Sequence, residues 1–143
     1  MTLGGVEHAG TDMNEIEHSF DLNVQLAKSE FGESKKLRKL KGDSLTELSK
    51  LVSSAEKLTF DFVYIDGSHQ APDVLADAVL GFELLRPGGV MAFDDYLWFE
   101  ELPTGIDPLR CPKPAIDAFV NINIRRLRVV RTRLHQLYIM KVS

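Results

Sequence analysis

Three carboxylates carry the chemistry this sequence is equipped for. Asp66 closes the apolar run FDFVYI, and Asp94-Asp95 close the run VMAF. Ligands of open α/β sheets bind at the carboxyl ends of the strands, so acids at two such ends share a plausible site. Carboxylates gathered there repel one another, and a divalent cation relieves the repulsion. Mg²⁺ accepts a few carboxylates and keeps several waters. Asp66, Asp94 and Asp95 are therefore a candidate Mg²⁺ site. The plainer alternative is that each acid caps the helix or turn after it; an Asp and an Asp-Asp pair on consecutive strands favour the site.

His69, in the turn after Asp66, is a candidate general base or substrate contact, or else a local hydrogen-bonding residue. Asp43 is a third acid at a strand end. Tyr96 and Trp98 follow the acid pair and either wall a pocket or simply pack. His8, His18 and His135 show no metal-ligand spacing, and Cys111 has no base near it in sequence. No G-x-G-x-x-G occurs. Gly4-Gly5 have no strand before them and Gly88-Gly89 form a turn entering a strand, so neither pair reads as a phosphate cradle.

Elements must position these residues. Ile16, Phe20, Val24 and Ala27 recur at helical spacing from Asn14 to Phe31, with Asp12 or Asn14 as cap and Gly32 as stop. Lys35 to Lys41 alternates basic residues with Leu37 and Leu40, the pattern of a short strand. Ser44 with Glu47 three residues on is a capping-box pattern, and Leu45, Leu48, Leu51 and Val52 give the apolar face of a second helix. FDFVYI reads as a buried strand. Pro72 opens a helix buried through Val74, Leu75, Ala78, Val79, Phe82 and Leu85, which Arg86-Pro87-Gly88-Gly89 stops. Val90 to Phe93 is a strand. A proline-rich loop (99–114), a helix (Ala115 to Ile122) and two strands at Val129-Val130 and Leu137 to Met140 complete the chain. Alternating strands and helices argue for an α/β protein with a mostly parallel sheet; the last two strands are too close for a crossover and form an antiparallel hairpin.

Composition narrows the setting. A length of 143 residues fits one domain, 1–143. One cysteine excludes an internal disulfide and fits a reducing, cytoplasmic location. No apolar stretch approaches the roughly 18 residues of a membrane span, and no secretory signal is visible. Net charge −4 argues against nucleic acid as the main partner. The charge is uneven: residues 1–34 hold seven acids and one base, residues 125–143 six bases and no acid. Lys35, Lys36, Arg38, Lys39 and the cluster Arg125, Arg126, Arg128, Arg131 and Arg133 leave a phosphate- or nucleic-acid-binding module as a competing reading. Alternation around Arg126 and Arg128 fits a solvated strand face better.

FDFVYIDGSH, a helix, and then LLRPGGVMAFDDYLW resemble the class I S-adenosylmethionine-dependent methyltransferases. Within them they resemble the metal-dependent small-molecule O-methyltransferases, which share an Asp-Gly-x-His strand end and an Asp-Asp strand end. The match is good over about residues 35–100 and loose elsewhere. The resemblance implies a Rossmann-like methyltransferase sheet, S-adenosylmethionine as donor, Mg²⁺ as aid and a small hydroxylated substrate. It implies that Asp66, Asp94 and Asp95 hold the metal and that His69 and Asp66 serve catalysis. It places Gly42, Asp43, Ser44 and Asp66 at the cofactor, the first three near its adenine, with Leu45 as a packing neighbour.

The family core opens with a strand, a glycine-rich loop, a helix and a second strand ending in an acid that holds the ribose. That piece is not found, so the fold reads as N-terminally truncated, starting at Leu3-Gly4-Gly5. In the family those strands lie between the strand at 37–41 and the strand at 60–65. Three expectations follow: weak cofactor binding unless a neighbouring chain supplies contacts; a homo-oligomer with exchanged elements, since an open edge of FDFVYI is a pairing template; and, as an alternative function, a non-catalytic oligomeric module built on an incomplete methyltransferase fold.

Overall fold

The computed structural model describes residues 12–32, 36–132 and 135–143. The chain divides into a smaller unit ending at Lys41 and a larger one running from Gly42 to Ser143. Gly4-Gly5, His8 and the expected start of the chain's fold at Leu3 lie outside the described residues, as do Lys35 and Arg133.

The smaller unit holds helix α1 (Met13–Phe31). Of its two expected caps Asp12 serves: its side chain accepts from the Asn14 amide at 2.8 Å. The strand expected over Lys35 to Lys41 does not form in its described part, 36–41. A strand needs a neighbour to satisfy its backbone, and none of the described strands pairs with it. Its lysines turn instead to α1. Lys39 Nζ lies 2.8 Å from both Glu17 and Asp21, and Lys41 also reaches Glu17. Hydrogen bonds from Lys39 and then Lys41 draw Glu17 down to about 2.

The larger unit is the α/β fold. It contains α2 (Ser44–Val52), β1 (Phe60–Ile65), α3 (Ala71–Leu84), β2 (Leu85–Phe93), a minimal hairpin β3 (Glu101–Leu102) and β4 (Gly105–Ile106), α4 (Pro112–Ile122), β5 (Leu127–Val130) and β6 (Leu137–Lys141). The main sheet has the order β1-β2-β6-β5. Its class is as expected, with the C-terminal antiparallel hairpin formed by β5 and β6. The balance of directions differs. β1 and β2 are parallel, but β2–β6 and β5–β6 are antiparallel. The other parallel candidate, the segment before Gly42, has not joined the sheet.

Several boundaries move for local reasons. Asp43, not Ser44, caps α2 by accepting from the Thr46 amide at 3.2 Å. Arg86-Pro87-Gly88-Gly89 does not precede β2 but lies within it, over a register shift against β1. Gly88 takes φ +82, and a Cβ on Gly89 would stand 3.0 Å from the Phe60 carbonyl oxygen, so this irregularity needs glycine. Helix α4 starts at Pro112 rather than Ala115, since prolines cost nothing in a first turn whose N–H groups are free anyway. In α3 Val74, Ala78 and Phe82 are buried as expected, whereas Leu75 and Val79 face outward.

Helices α3 and α4 cover one face of the sheet. Met91, Phe93 and Ile139 on that face are fully buried. Phe119 of α4 packs edge-on against both Phe82 (5.5 Å between ring centres) and Phe93 (5.9 Å). No helix among the described residues is long and apolar enough to cross a membrane.

Candidate functional site

The site is made by the ends of two parallel strands. The Asp94 amide donates to the Ile65 carbonyl at 2.9 Å, which carries the ladder one residue past β1 and β2 and sets Asp66 and Asp94 side by side. Asp95 then leaves the extended conformation at φ +50, a left-handed geometry that Asp tolerates better than most residues. Neighbours in a strand point to opposite faces. The turn at Asp95 cancels that alternation, and both acids of the pair join Asp66. One carboxylate oxygen from each of the three lies within 4.8 Å of the others.

His69 reaches back from the loop before α3. Its Nε2 lies 2.9 Å from Asp95 Oδ2, and its ring stacks on Trp98 at 4.1 Å between centres. Trp98 is itself placed by its amide bond to the Asp95 carbonyl, 2.9 Å. The indole thus packs against the His69 ring. Tyr96 is engaged elsewhere: its hydroxyl donates to Asp117 Oδ1 at 2.7 Å and accepts from Lys113, tying the loop to α4. Val74 and Ile116 line the floor of the small depression between the acids and the core.

Electrostatics separate the acids. Desolvation, then the charges of Asp94 and Asp95, push the Asp66 carboxyl above its ordinary value, while His69 pulls it back. Asp94 is held below its ordinary value, first by the Tyr64 hydroxyl and then by the Asp95 amide and Gln136. The same bond to Asp94 pushes Tyr64 up to about 12. Three clustered carboxylates, with no lysine or arginine bonded to them among the described residues, suit a hard cation with oxygen ligands. The donor set therefore fits Mg²⁺.

The segment expected at the cofactor, Gly42–Ser44, lies at the start of α2. Asp43 is engaged as the α2 cap, and the carboxyl of Asp77 in α3, raised first by burial, is drawn back by the Ser44 hydroxyl. Asp77 is 8% exposed, and its Oδ1 has no hydrogen-bond partner among the described residues. A Cβ on Gly67 would lie 3.7 Å from its other oxygen. Asp77 thus lies beside the turn after Asp66. A glycine-rich strand-to-helix loop is not among the described residues. Of the segments expected at the cofactor, the described residues include Gly42–Ser44 and the turn after Asp66.

Four residues of this region escape a reading by motif. Tyr64 and Gln136 bond Asp94, Tyr138 bonds Gln136, and Asp77 lies beside Gly67. His135, read as a bystander, lines a shallow cleft with Asp94, Gln136 and Tyr138. Period-two alternation did hold a signal for Tyr64, which shares a sheet face with Phe62 two residues before Asp66. A lone acid among the core positions of α3 was the signal for Asp77.

Comparison with known proteins agrees with this geometry. A family model described as a methyltransferase domain matches residues 4–96, well over half of the chain and all three acids. "Probable caffeoyl-CoA O-methyltransferase 3" of Dictyostelium discoideum is 40% identical over 52 residues, 36% of this chain and 20% of that protein. A Corynebacterium glutamicum protein of known crystal structure superposes with a TM-score of 0.66 at 21% identity, over 89% of this chain and 57% of its own. That likeness is one of fold. The chain spans about a fifth of the curated relative and little more than half of the solved one.

Proposed function

The chain belongs to the class I S-adenosylmethionine-dependent methyltransferases, and from that premise we propose that it takes part in methyl transfer to the oxygen of a small hydroxylated substrate, aided by a divalent cation. The observation that carries the reading is the convergence of Asp66, Asp94 and Asp95 within 4.8 Å, with His69 bound to one of them. The O-methyltransferase name of the curated relative supports oxygen as the acceptor. When bound, S-adenosylmethionine supplies an electrophilic methyl group, and a cation on the three acids lowers the pKa of a hydroxyl.

The chain's own residues supply position and proton handling. A carboxylate only accepts, so His69 donates Nε2–H to Asp95, and Nδ1 is the ring atom left for a substrate proton. Stacking on Trp98 restrains the ring plane and excludes water from one side. Desolvation first, and then repulsion from Asp94 and Asp95, raise the Asp66 carboxyl, and a cation would relieve the repulsion. Gly42, Asp43 and Ser44 form one wall for the cofactor, with Asp66 at the junction of both ligands. β1 pairs with β2 alone among the described strands, which supports self-association along its outer edge; light scattering tests that part.

Calorimetric titration with S-adenosylhomocysteine, with and without Mg²⁺, tests the cofactor. Micromolar binding supports the reading. No heat at high protein concentration at two temperatures refutes cofactor binding by this chain and favours a non-catalytic module. Mn²⁺ binding followed by electron paramagnetic resonance tests the metal. Asp95→Ala removes a ligand and should weaken Mn²⁺ binding by about 100-fold or more, roughly 2.7 kcal/mol; unchanged affinity would refute the site.

A further inference from the structure

Asp94 is the most heavily bonded of the three acids among the described residues, and its side-chain partners come from the face of the sheet opposite α3 and α4. Tyr64 of β1, Ala92 of β2 and Tyr138 of β6 stand in one cross-strand row. Ala92, small and fully buried, leaves a gap between the two tyrosines. Gln136, just before β6, bridges it. Its Oε1 accepts from the Tyr138 hydroxyl at 2.6 Å. Its Nε2 donates to Tyr64 Oη at 3.1 Å and to Asp94 Oδ1 at 3.2 Å. Tyr64 in turn donates to Asp94 Oδ2, and Asp94 Oδ1 also accepts from the Asp95 amide at 3.0 Å.

This chain has a direction. An amide side chain can present either its oxygen or its nitrogen to a carboxylate, and only the nitrogen is attractive. The Tyr138 hydroxyl, by occupying Oε1, fixes which end of Gln136 faces Asp94. Tyr64 holds the second carboxylate oxygen. Oδ1 thus accepts twice and Oδ2 once, which leaves one lone pair, on Oδ2, for a cation shared with Asp66 and Asp95.

We propose that Tyr138, Gln136 and Tyr64 are positioning residues that set the cation affinity of the three-acid site by holding Asp94 in its ligating orientation. The inference rests on the metal reading above. It assigns the antiparallel strand β6 a part in the site that a reading of β1 and β2 alone does not contain. Tyr138 touches neither Asp94 nor the other acids, and its influence passes entirely through Gln136.

The test is Mn²⁺ affinity of the full chain by electron paramagnetic resonance, with melting temperature measured alongside. Tyr64→Phe and Gln136→Leu should each weaken binding about 10-fold or more, the usual scale for partners of metal ligands. Tyr138→Phe should weaken it several-fold with an unchanged melting temperature. Added to Gln136→Leu, Tyr138→Phe should cost nothing more, because its route is already cut. Additive losses would show a merely structural role and overturn the proposal. Binding lost in Asp95→Ala but unchanged in Tyr138→Phe and Gln136→Leu would overturn the proposal while leaving the metal site standing. No Mn²⁺ binding by the unmodified chain, or equal binding in Asp95→Ala, would remove the metal site and the proposal together. Should Tyr138→Phe not fold, wild-type affinity in Gln136→Leu alone would be decisive against it.

Discussion

The two faces of the main sheet are built from the same strands and have different fates. On one face Met91, Phe93 and Ile139 are covered by α3 and α4 and are fully buried. On the other, Phe62 is 52% and Tyr64 43% exposed. Alternation along β1 and β2 sends successive residues to the two sides, so each strand contributes to both. The covered face gains from removing apolar surface from water and from close ring packing. The open face gains little of that, and what orders it is polar: the hydroxyls, the Gln136 amide and Asp94. Stability and site chemistry are thus divided between faces, and they meet only at the strand ends where Asp66 and Asp94 emerge.

Substitutions can test that division. Phe93→Ala, on the covered face, removes a fully buried ring in contact with Phe119 and should cost about 3–5 kcal/mol in urea unfolding. A loss below 1 kcal/mol would mean the covered face is not the stabilising one. Lys141→Met should cost less, about 1–3 kcal/mol. Lys141 is 1% exposed, and its Nζ donates at 2.6 Å to the Phe82 carbonyl near the end of α3, so methionine leaves that carbonyl unpaired. Phe62→Ser, on the open face, should change stability by no more than about 0.5 kcal/mol.

Asp77 sharpens the comparison through pH. Burial raises its carboxyl above 3.8 in the folded chain. A folded acid with a raised pKa holds more protons than the unfolded chain, so its contribution to stability falls as pH rises from the unfolded value through the folded one. Asp77→Asn does not titrate. It should therefore melt higher than the unmodified chain at neutral pH, with the advantage shrinking as pH falls toward 4. A difference that stays constant with pH would show that Asp77 is not the titrating group.

The four strands of the main sheet, the three larger helices of the main unit and the three-acid cluster were legible because each is written in local pattern, whereas the short β3–β4 hairpin fell in a stretch read as loop. FDFVYI is an apolar run ending in an acid, and Asp94-Asp95 ends another. What escaped depended on partners far away in sequence. Lys35 to Lys41 has the alternation of a strand, yet a strand exists only with a neighbour, and its lysines found the acids of α1. The Arg86–Gly89 stretch reads as a stop signal, yet paired beside β1 it becomes a bulged strand start. Gln136 carries no motif at all; its role comes from the register that sets β6 beside β2.

Residue types and their order alone determined that this chain would fold as α/β and would place acids at two neighbouring strand ends. Hydrophobic periodicity and turn chemistry act over a few residues and can be read along the chain. Only the tertiary structure decided that the three carboxylates would point at one another. That needed the parallel register of β1 and β2, the left-handed turn at Asp95, and the hydrogen bonds that Tyr64 and Gln136 bring to Asp94 from other strands. Such contacts lie 30 and 42 residues apart in sequence, and their geometry exists only once the sheet has formed.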